Sequence, residues 1–203
     1  VIHIGGHHGQ EYKTYKKYPS IKKMVFFEPD PDSYKILESV TSGDNAVTLV
    51  NAALGPLSCR MDLHKAKNTW DSDHDGQSSS LCKPHLHKEQ YPHILFNDTV
   101  EVKVHPLDKY GPNKIFNMIN IDVQGFELEV FRGAKKTLNH IDYIIAEVNK
   151  EELYKDCVLV DELDSFLAVY GFSRVETKWI TDTTLGNYRP KGKTWGDALY
   201  IKI

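Results

Sequence analysis

The sequence predicts an α/β fold built around a doubly wound, mostly parallel β-sheet. The first observation is that short apolar runs alternate with polar, amphipathic segments in the order strand, helix, strand, helix, strand. The second is that this alternation resumes after a long polar interruption and ends in two strands with no helix between them. The runs that we interpret as strands are residues 1–4, 24–27, 47–54, 115–121, 141–148, 174–180 and 198–203.

The predicted helices follow from spacing and from end signals. Residues 29–32 (PDPD) open the second helix, because proline is tolerated in a first helical turn. Gly171 is placed to cap the last one. Because only a loop joins the two closing strands, we expect them to be antiparallel. The helical segments are residues 10–18, the stretch that begins at residues 29–32, and residues 126–138 and 159–170.

Residues 58–105 interrupt the sheet pattern between strands three and four. Their middle, residues 68–80, is rich in Asp, Ser and Gly, and alternation of apolar residues returns at residues 100–104. We interpret the insertion as a hairpin or edge strand plus a long loop, and loops of that length are usually functional or disordered. We expect this insertion to cover the ligand site as a lid and to contact the second substrate, the acceptor. We expect the chain to form a single domain spanning residues 1–203.

Composition limits the classes of partner. The chain has 203 residues, 40% of them hydrophobic, which is enough for a sizeable core. Its 25 basic and 28 acidic residues give a formal charge of -3, so there is no reason to expect nucleic-acid binding. No apolar run approaches the roughly 18 residues that span a bilayer. Cys59, Cys82 and Cys157 are odd in number and form no CxxC pair, which favours a reduced, cytoplasmic protein.

Three strand ends carry a cofactor signal. A glycine-rich turn, GGHHG, follows strand one and allows a ligand to approach the backbone closely. Glu28 ends strand two, where an acid commonly accepts hydrogen bonds from the ribose hydroxyls of a nucleoside cofactor. Small residues at 51–53 (NAA) leave room for an adenine ring after strand three. The predicted cofactor contacts are Gly5, Gly6, His8, Gly9, Glu28, Pro29, Ala52, Ala53 and Asp122.

Two adenosine cofactors compete for this site, the dinucleotide NAD and S-adenosylmethionine. NAD binding usually requires GxGxxG, and here His7 and His8 interrupt the turn. The two closing strands also suit the methyltransferase version of the sheet better than the dinucleotide version. A Tyr-x-x-x-Lys spacing from Tyr12 to Lys16 would suit an oxidoreductase, but it lies too early in the chain to reach a nicotinamide.

The stretch NMINIDVQGFELEVFRG places a carboxylate, Asp122, at the end of a buried strand. Ligands of open α/β sheets bind at this edge, so Asp122 is a candidate base, metal ligand or acceptor-orienting residue. The alternative is that it only caps the following helix. Glu147 ends strand five on the same edge and could share a divalent ion with Asp122, but no further ligand supports such a site.

Histidines and aromatic residues supply the remaining candidates for the acceptor site. Either His7 or His8, in the glycine-rich turn, could face the acceptor as a base, with His7 the candidate catalytic residue, because an imidazole has a pKa near 6.5. His87 is a further catalytic candidate because it lies in the expected lid, although loop histidines are more often simply solvated. Trp179, Trp195 and Tyr188 could stack on a sugar face or pack as core and rim residues.

Several blocks of the sequence resemble the FkbM family of S-adenosylmethionine-dependent methyltransferases. They are VIHIGGHHGQE, FFEPDPDSYKIL, VNAALG, INIDVQGFELEVFRGAKKTL and YIIAEVN, and the resemblance covers essentially the whole chain. It implies a Rossmann-like class I methyltransferase fold of seven strands with an antiparallel last strand. It also implies S-adenosylmethionine as cofactor, with Gly5 and Gly9 at its methionine part, Glu28 at the ribose, and Asp122 near the sulfonium and the acceptor.

The function expected from this resemblance is O-methylation of a hydroxyl group on a sugar, polysaccharide or secondary metabolite. The expected partner is therefore a small-molecule or glycan acceptor, with no nucleic acid and no membrane span. The alternatives are an NAD(P)-dependent oxidoreductase and a non-catalytic S-adenosylmethionine-binding protein.

Overall fold

The computed structural model describes residues 1–111, 115–180 and 194–203. The strands are β1 (Ile2–Ile4), β2 (Met24–Phe27), β3 (Val47–Val50), β4 (Ala53–Leu54), β5 (Cys59–Asn68), β6 (Ile94–His105), β7 (Met118–Ile121), β8 (Tyr143–Asn149), β9 (Phe172–Trp179) and β10 (Trp195–Lys202). The helices are α1 (Tyr12–Tyr15), α2 (Pro31–Val40), α3 (His87–Gln90), α4 (Glu127–Arg132), α5 (Lys135–Leu138) and α6 (Val160–Ala168).

The main sheet has seven strands in the order β3-β2-β1-β7-β8-β10-β9. Its pairs are parallel from β3 to β8, and β10 is antiparallel to both β8 and β9. The predicted doubly wound sheet with an antiparallel closing strand is therefore confirmed. The chain reverses its direction of winding between β1 and β7, and a crevice for a ligand forms at such a switch point.

The centre of the main sheet is buried on both faces, which explains why β2 is apolar throughout and does not alternate. All four residues of β2 are buried. Phe27 belongs to the larger core cluster, with Phe131 and Leu163 of the helices on that face, whereas Phe26 packs with Leu37 of α2 on the other. In the described parts of the chain, no helix has the length and apolar character needed to cross a bilayer.

The third predicted strand, residues 47–54, is split in the structure. The break falls at Asn51, whose side-chain amide donates to the backbone oxygen of Glu28 at 2.8 Å. Such a side-chain bond offers the backbone an alternative to the strand ladder. After the break, β4 leaves the main sheet and pairs with β6 in a second sheet of order β4-β6-β5.

The predicted helix over residues 126–138 is also divided, into α4 and α5. Gly133 lies at the break, where a Cβ would overlap the backbone carbonyl oxygen of Gly55. The Asp108 carboxylate then accepts the backbone N–H groups of Lys136 and Thr137 at 2.8 and 2.9 Å and so caps the start of α5.

The insertion contains the expected hairpin, formed by the antiparallel strands β5 and β6. The segment between them folds back onto β5, where His64 and Ser80 exchange backbone hydrogen bonds of 2.8 and 3.2 Å. It also contacts the loop after β8, because the N–H groups of His85 and His87 both donate to the Leu153 oxygen at 2.9 Å. The insertion is thus attached to the main sheet on its ligand-binding edge.

Gly5 fixes the spacing between the ends of β1 and β7. Its φ is +89°, and a Cβ there would overlap the backbone carbonyl oxygen of Asp122. The Asp122 N–H in turn donates to the Ile4 oxygen at 3.0 Å. No residue with a side chain fits this approach without moving one of the two strand ends.

We expect Gly5→Ala to destabilise the protein by about 3 kcal/mol or more, because it adds a backbone overlap to the cost of a left-handed residue. Gly43→Ala is the matched control: its φ is +80°, but nothing lies within 4 Å of the added Cβ. That control should cost only about 1–2 kcal/mol. Urea unfolding of both variants measures the difference, and equal losses would contradict a packing role for Gly5.

Candidate active site

A cavity of about 1040 Å³ lies along the carboxyl ends of β1, β2, β7 and β8, and the insertion forms its opposite wall. Eight of the predicted site residues line it: Gly5, His7, Glu28, Pro29, Ala52, Ala53, His87 and Asp122. Three do not. Gly6 and Gly9 pack against Leu37 of α2, and the His8 ring stacks on the His7 ring at 3.7 Å. These three residues shape the glycine-rich turn from outside the cavity wall.

Glu28 lies at the end of β2 with only 6% of its surface exposed. Its Oε2 accepts the His7 N–H at 2.6 Å, and its Oε1 accepts the Asp30 N–H at 2.8 Å. Burial raises the pKa of Glu28 to about 7, against the two N–H groups that lower it. Since each carboxylate oxygen has two lone pairs, Glu28 keeps acceptor capacity for hydroxyl groups of a ligand.

His7 connects the glycine-rich turn to the insertion. Its Nε2 donates to the Asp75 backbone oxygen at 2.6 Å, and its Nδ1 accepts from Gln10 Nε2 at 2.8 Å. Burial lowers its pKa, so the ring is neutral. With both ring nitrogens already bonded, the structure favours a tethering role over the predicted role of a base.

Asp122 and Glu147 form the carboxylate pair of the cavity, and Gln124 joins them. The Gln124 side-chain amide Nε2 donates to Asp122 Oδ1 at 2.7 Å and to Glu147 Oε2 at 3.0 Å. Gln124 has a φ of +56°, which is uncommon outside glycine and turns its side chain back toward the end of β7. Gln124 was not among the site residues predicted from the sequence, although its place between Asp122 and Gly125 in the IDVQG block indicated that it lies near the end of the strand.

The two carboxyl groups of this pair differ in pKa. Desolvation by the walls of the cavity raises the pKa of Asp122 to about 6, and the charge of Asp197 adds to this rise, while the hydrogen bond from the Gln124 amide opposes it. The Asp122 side chain nonetheless stays exposed to the open cavity. Glu147 is 5% exposed, and burial together with the charge of Asp122 raises its pKa well above the usual range. At neutral pH the pair therefore presents Asp122 as the ionised member.

The insertion is bonded directly to Gln124. Tyr154 is fully buried, and its hydroxyl lies 2.8 Å from both Gln124 Oε1 and the Ser78 backbone oxygen, so these two acceptors share its single proton. The Ser80 hydroxyl donates to the Gln124 backbone oxygen at 2.7 Å. The position of the insertion and the position of the carboxylate pair are therefore set by the same residue.

His87 is buried rather than solvated, so the alternative of a simply solvated loop histidine is wrong for this residue. It is 5% exposed, and its ring packs against Tyr91, Phe96 and Tyr154 at centroid distances of 4.9, 5.3 and 5.2 Å. Its Nδ1 is buried and has no hydrogen-bond partner among the described residues. Burial lowers its pKa to about 4, so it stays neutral while lining the cavity.

Neither a metal site nor a complete aromatic platform follows from these contacts. Within residues 1–111, 115–180 and 194–203, no three His, Cys, Asp or Glu side chains are grouped so as to hold an ion. Trp195 lines the cavity and donates from Nε1 to the Tyr91 hydroxyl at 2.8 Å, whereas Trp179 packs beneath Lys150. Tyr188 lies outside the described residues.

Comparison with known proteins identifies the family. The methyltransferase FkbM domain matches residues 3–174. The chain belongs to the FkbM methyltransferase family. Over 181 residues, which cover 86% of this chain and 74% of the relative, it is 25% identical to the 2-O-methyltransferase NoeI of Sinorhizobium fredii.

Solved structures confirm the fold of this FkbM family member. Methyltransferase FkbM from Methylobacillus flagellatus aligns with a TM-score of 0.58 and 14% identity over 98% of this chain, which spans 42% of the length of that structure. Magnesium protoporphyrin IX methyltransferase from Synechocystis, solved with bound S-adenosylmethionine, aligns over 100% of this chain and 69% of its own, with a TM-score of 0.51 and 8% identity. The predicted class I methyltransferase fold is therefore confirmed.

Glu127 stabilises the turn that carries the carboxylate pair. It is fully buried, and its Oε1 accepts the N–H groups of Val123 and Gly125 at 3.1 and 3.2 Å. Its Oε2 is buried without a hydrogen-bond partner among the described residues. Burial raises the pKa of Glu127 to about 7, so the turn accommodates the acid better than the carboxylate.

We expect Glu127→Gln to stabilise the protein at pH 8.5 and to leave its stability nearly unchanged at pH 4, below the unfolded pKa of the glutamate. A raised folded-state pKa contributes stability that is present below the unfolded value and is lost as the pH rises through about 7. The loss is about 3 kcal/mol, and the glutamine variant avoids it. Urea unfolding at both pH values tests this, with the exposed Glu38→Gln as control. A gain that does not depend on pH would contradict the assignment.

Proposed function

We propose that this FkbM family member is an S-adenosylmethionine-dependent methyltransferase that methylates a hydroxyl group of a sugar, polysaccharide or related secondary metabolite. The observation that carries the proposal is that one cavity is lined by Glu28 after β2, by Asp122 after β7 and by Glu147 near the end of β8. The name of the relative NoeI, a 2-O-methyltransferase, supports a hydroxyl acceptor.

The chemistry of the cavity fits the cofactor. Glu28 has acceptor capacity for ribose hydroxyls, Ala52 and Ala53 offer small side chains beside it, and Gly5 brings backbone to the cavity wall without a Cβ. These residues would hold the adenosine and methionine parts. When bound, S-adenosylmethionine supplies a methyl group activated by a positively charged sulfur. The chain's own residues must then orient the acceptor oxygen and accept its proton.

Asp122 is the residue that we assign to proton transfer. Its Oδ1 is held by Gln124, which leaves Oδ2 to accept the proton of the acceptor hydroxyl. With a pKa of about 6 it is ionised at neutral pH, whereas Glu147 holds its proton more tightly. Methyl transfer should therefore weaken as the pH falls through about 6. His87 lies beside the acceptor space as a neutral hydrogen-bonding group.

The insertion is the proposed lid and acceptor region of one domain that spans residues 1–203. Supporting this role, it forms one wall of the cavity and is bonded to His7 and Gln124 at two separate points. Cys59, Cys82 and Cys157 are free thiols, which supports the proposed reducing environment of the cytoplasm.

Calorimetry should show binding of S-adenosylmethionine and S-adenosylhomocysteine and none of NAD. Glu28→Gln should weaken S-adenosylmethionine binding roughly tenfold or more, because an amide N–H₂ would face the N–H of His7 or Asp30.

Asp122→Asn should keep the affinity for S-adenosylmethionine within about threefold and abolish transfer of labelled methyl groups to a panel of methyl glycosides.

The matched control is Glu38→Gln, an equivalent change at an exposed position of α2, which should alter neither binding nor transfer. Binding of NAD without S-adenosylmethionine would favour the oxidoreductase alternative. Binding of S-adenosylmethionine with no transfer to any hydroxyl acceptor would favour the non-catalytic alternative. Wild-type turnover by Asp122→Asn would remove Asp122 from its role.

A further inference from the structure

The lining of the cavity is strongly acidic. Among the residues that the structure describes, the carboxylates that line it are Glu11, Glu28, Asp30, Asp71, Asp122, Glu147 and Asp197, and no lysine or arginine joins them. Three of the histidines in the lining, His3, His7 and His87, have pKa values lowered by burial and stay neutral. Lys65, outside the lining, offsets the charge of Asp30, since its Nζ lies 3.2 Å from Asp30 Oδ1, and Glu147 keeps its proton. A bound S-adenosylmethionine, with its net positive charge, offsets part of the negative charge that is left.

The part of the cavity lined by Asp122, Glu147 and Asp197, which we call the acceptor half, carries the charges of Asp122 and Asp197, because Glu147 keeps its proton. Asp197 on β10 lies directly opposite Glu147 on β8 in the antiparallel ladder. Like charges in that position repel each other, and the Asp197 charge contributes to the raised pKa values of both Glu147 and Asp122. Lys178 lies opposite Asp197 on β9 and offsets some of this charge, but it does not line the cavity.

Uncharged polar and aromatic groups surround these carboxylates on the side of the insertion. His87 lines the cavity, and its Nδ1 is buried without a hydrogen-bond partner among the described residues. The rings of Trp70, Tyr91 and Trp195 also line the cavity. Aromatic faces beside carboxylate and imidazole groups suit a polyhydroxylated ring, whose apolar face packs on aromatics while its hydroxyls donate to acids.

We infer that the acceptor is an uncharged glycan residue, and that the carboxylates of the acceptor half exclude sugars bearing a carboxylate or phosphate. This inference rests on the proposed function. An anionic group brought beside Asp122 and Asp197 meets like charges, whereas Glu147, which keeps its proton at neutral pH, adds none. This repulsion lowers the affinity for an anionic sugar and leaves the affinity for a neutral one unchanged.

The test uses matched probes that differ only in charge. These are methyl hexopyranosides of the gluco, galacto and manno series, the corresponding methyl hexuronosides, and their nearly isosteric primary uronamides. Binding is measured by calorimetry in the presence of S-adenosylhomocysteine. In the series that binds, the hexoside and the uronamide should bind comparably, and the uronate at least about tenfold more weakly.

Charge variants locate the effect. Asp197→Asn should reduce the ratio of uronamide affinity to uronate affinity by a factor of roughly two to five. Asp98→Asn is the control, because it makes an equal charge change at an exposed position of β6 outside the cavity lining, and it should leave this ratio unchanged. Binding of the uronate as tight as or tighter than that of the uronamide would overturn the inference. If S-adenosylhomocysteine binds but no neutral glycoside does, the glycan assignment fails and the cofactor assignment stands. If S-adenosylhomocysteine itself does not bind, the proposed function fails.

Discussion

The side-chain amide of Gln124 is the interaction on which the rest of the site depends. Its N–H₂ group is shared by Asp122 and Glu147, and its oxygen accepts from the Tyr154 hydroxyl. A single amide thus fixes two carboxylates from different strands and, through Tyr154 and Ser80, the insertion that covers them. Few other side chains could do this, because two donors and one acceptor are required in one plane.

The other half of the site depends on the close approach of two strand ends. Gly5 lies against the Asp122 carbonyl because β1 and β7 are neighbours in the sheet, and the chain has no room for a Cβ between them. On its other side β1 pairs with β2, and this pairing brings the N–H of His7 to the Glu28 carboxylate. The proposed cofactor half and the carboxylate pair are thereby connected through backbone, and their separation follows from the spacing of adjacent strands.

Much of this arrangement could be predicted from the sequence because it follows from chain order. Glu28 and Asp122 each end a buried apolar run, and parallel strands bring such ends to one edge. Gln124 could not be assigned, because its contacts depend on a left-handed backbone and on Tyr154, which is remote in sequence. The break after β3 was missed for a similar reason, since an apolar run gives no sign that the Asn51 amide bonds to the Glu28 carbonyl. The family resemblance supplied S-adenosylmethionine as the expected cofactor, which strand ends alone had left open against NAD.

In the proposed complex, one cofactor molecule lies across the strand ends from Glu28 to Asp122. A crystal structure of the protein with S-adenosylhomocysteine would test this placement. We expect ribose hydroxyls within hydrogen-bonding distance of the Glu28 carboxylate, with the sulfur on the side of the cavity that Asp122 lines. A ribose bound away from Glu28, or a sulfur directed away from Asp122, would contradict it.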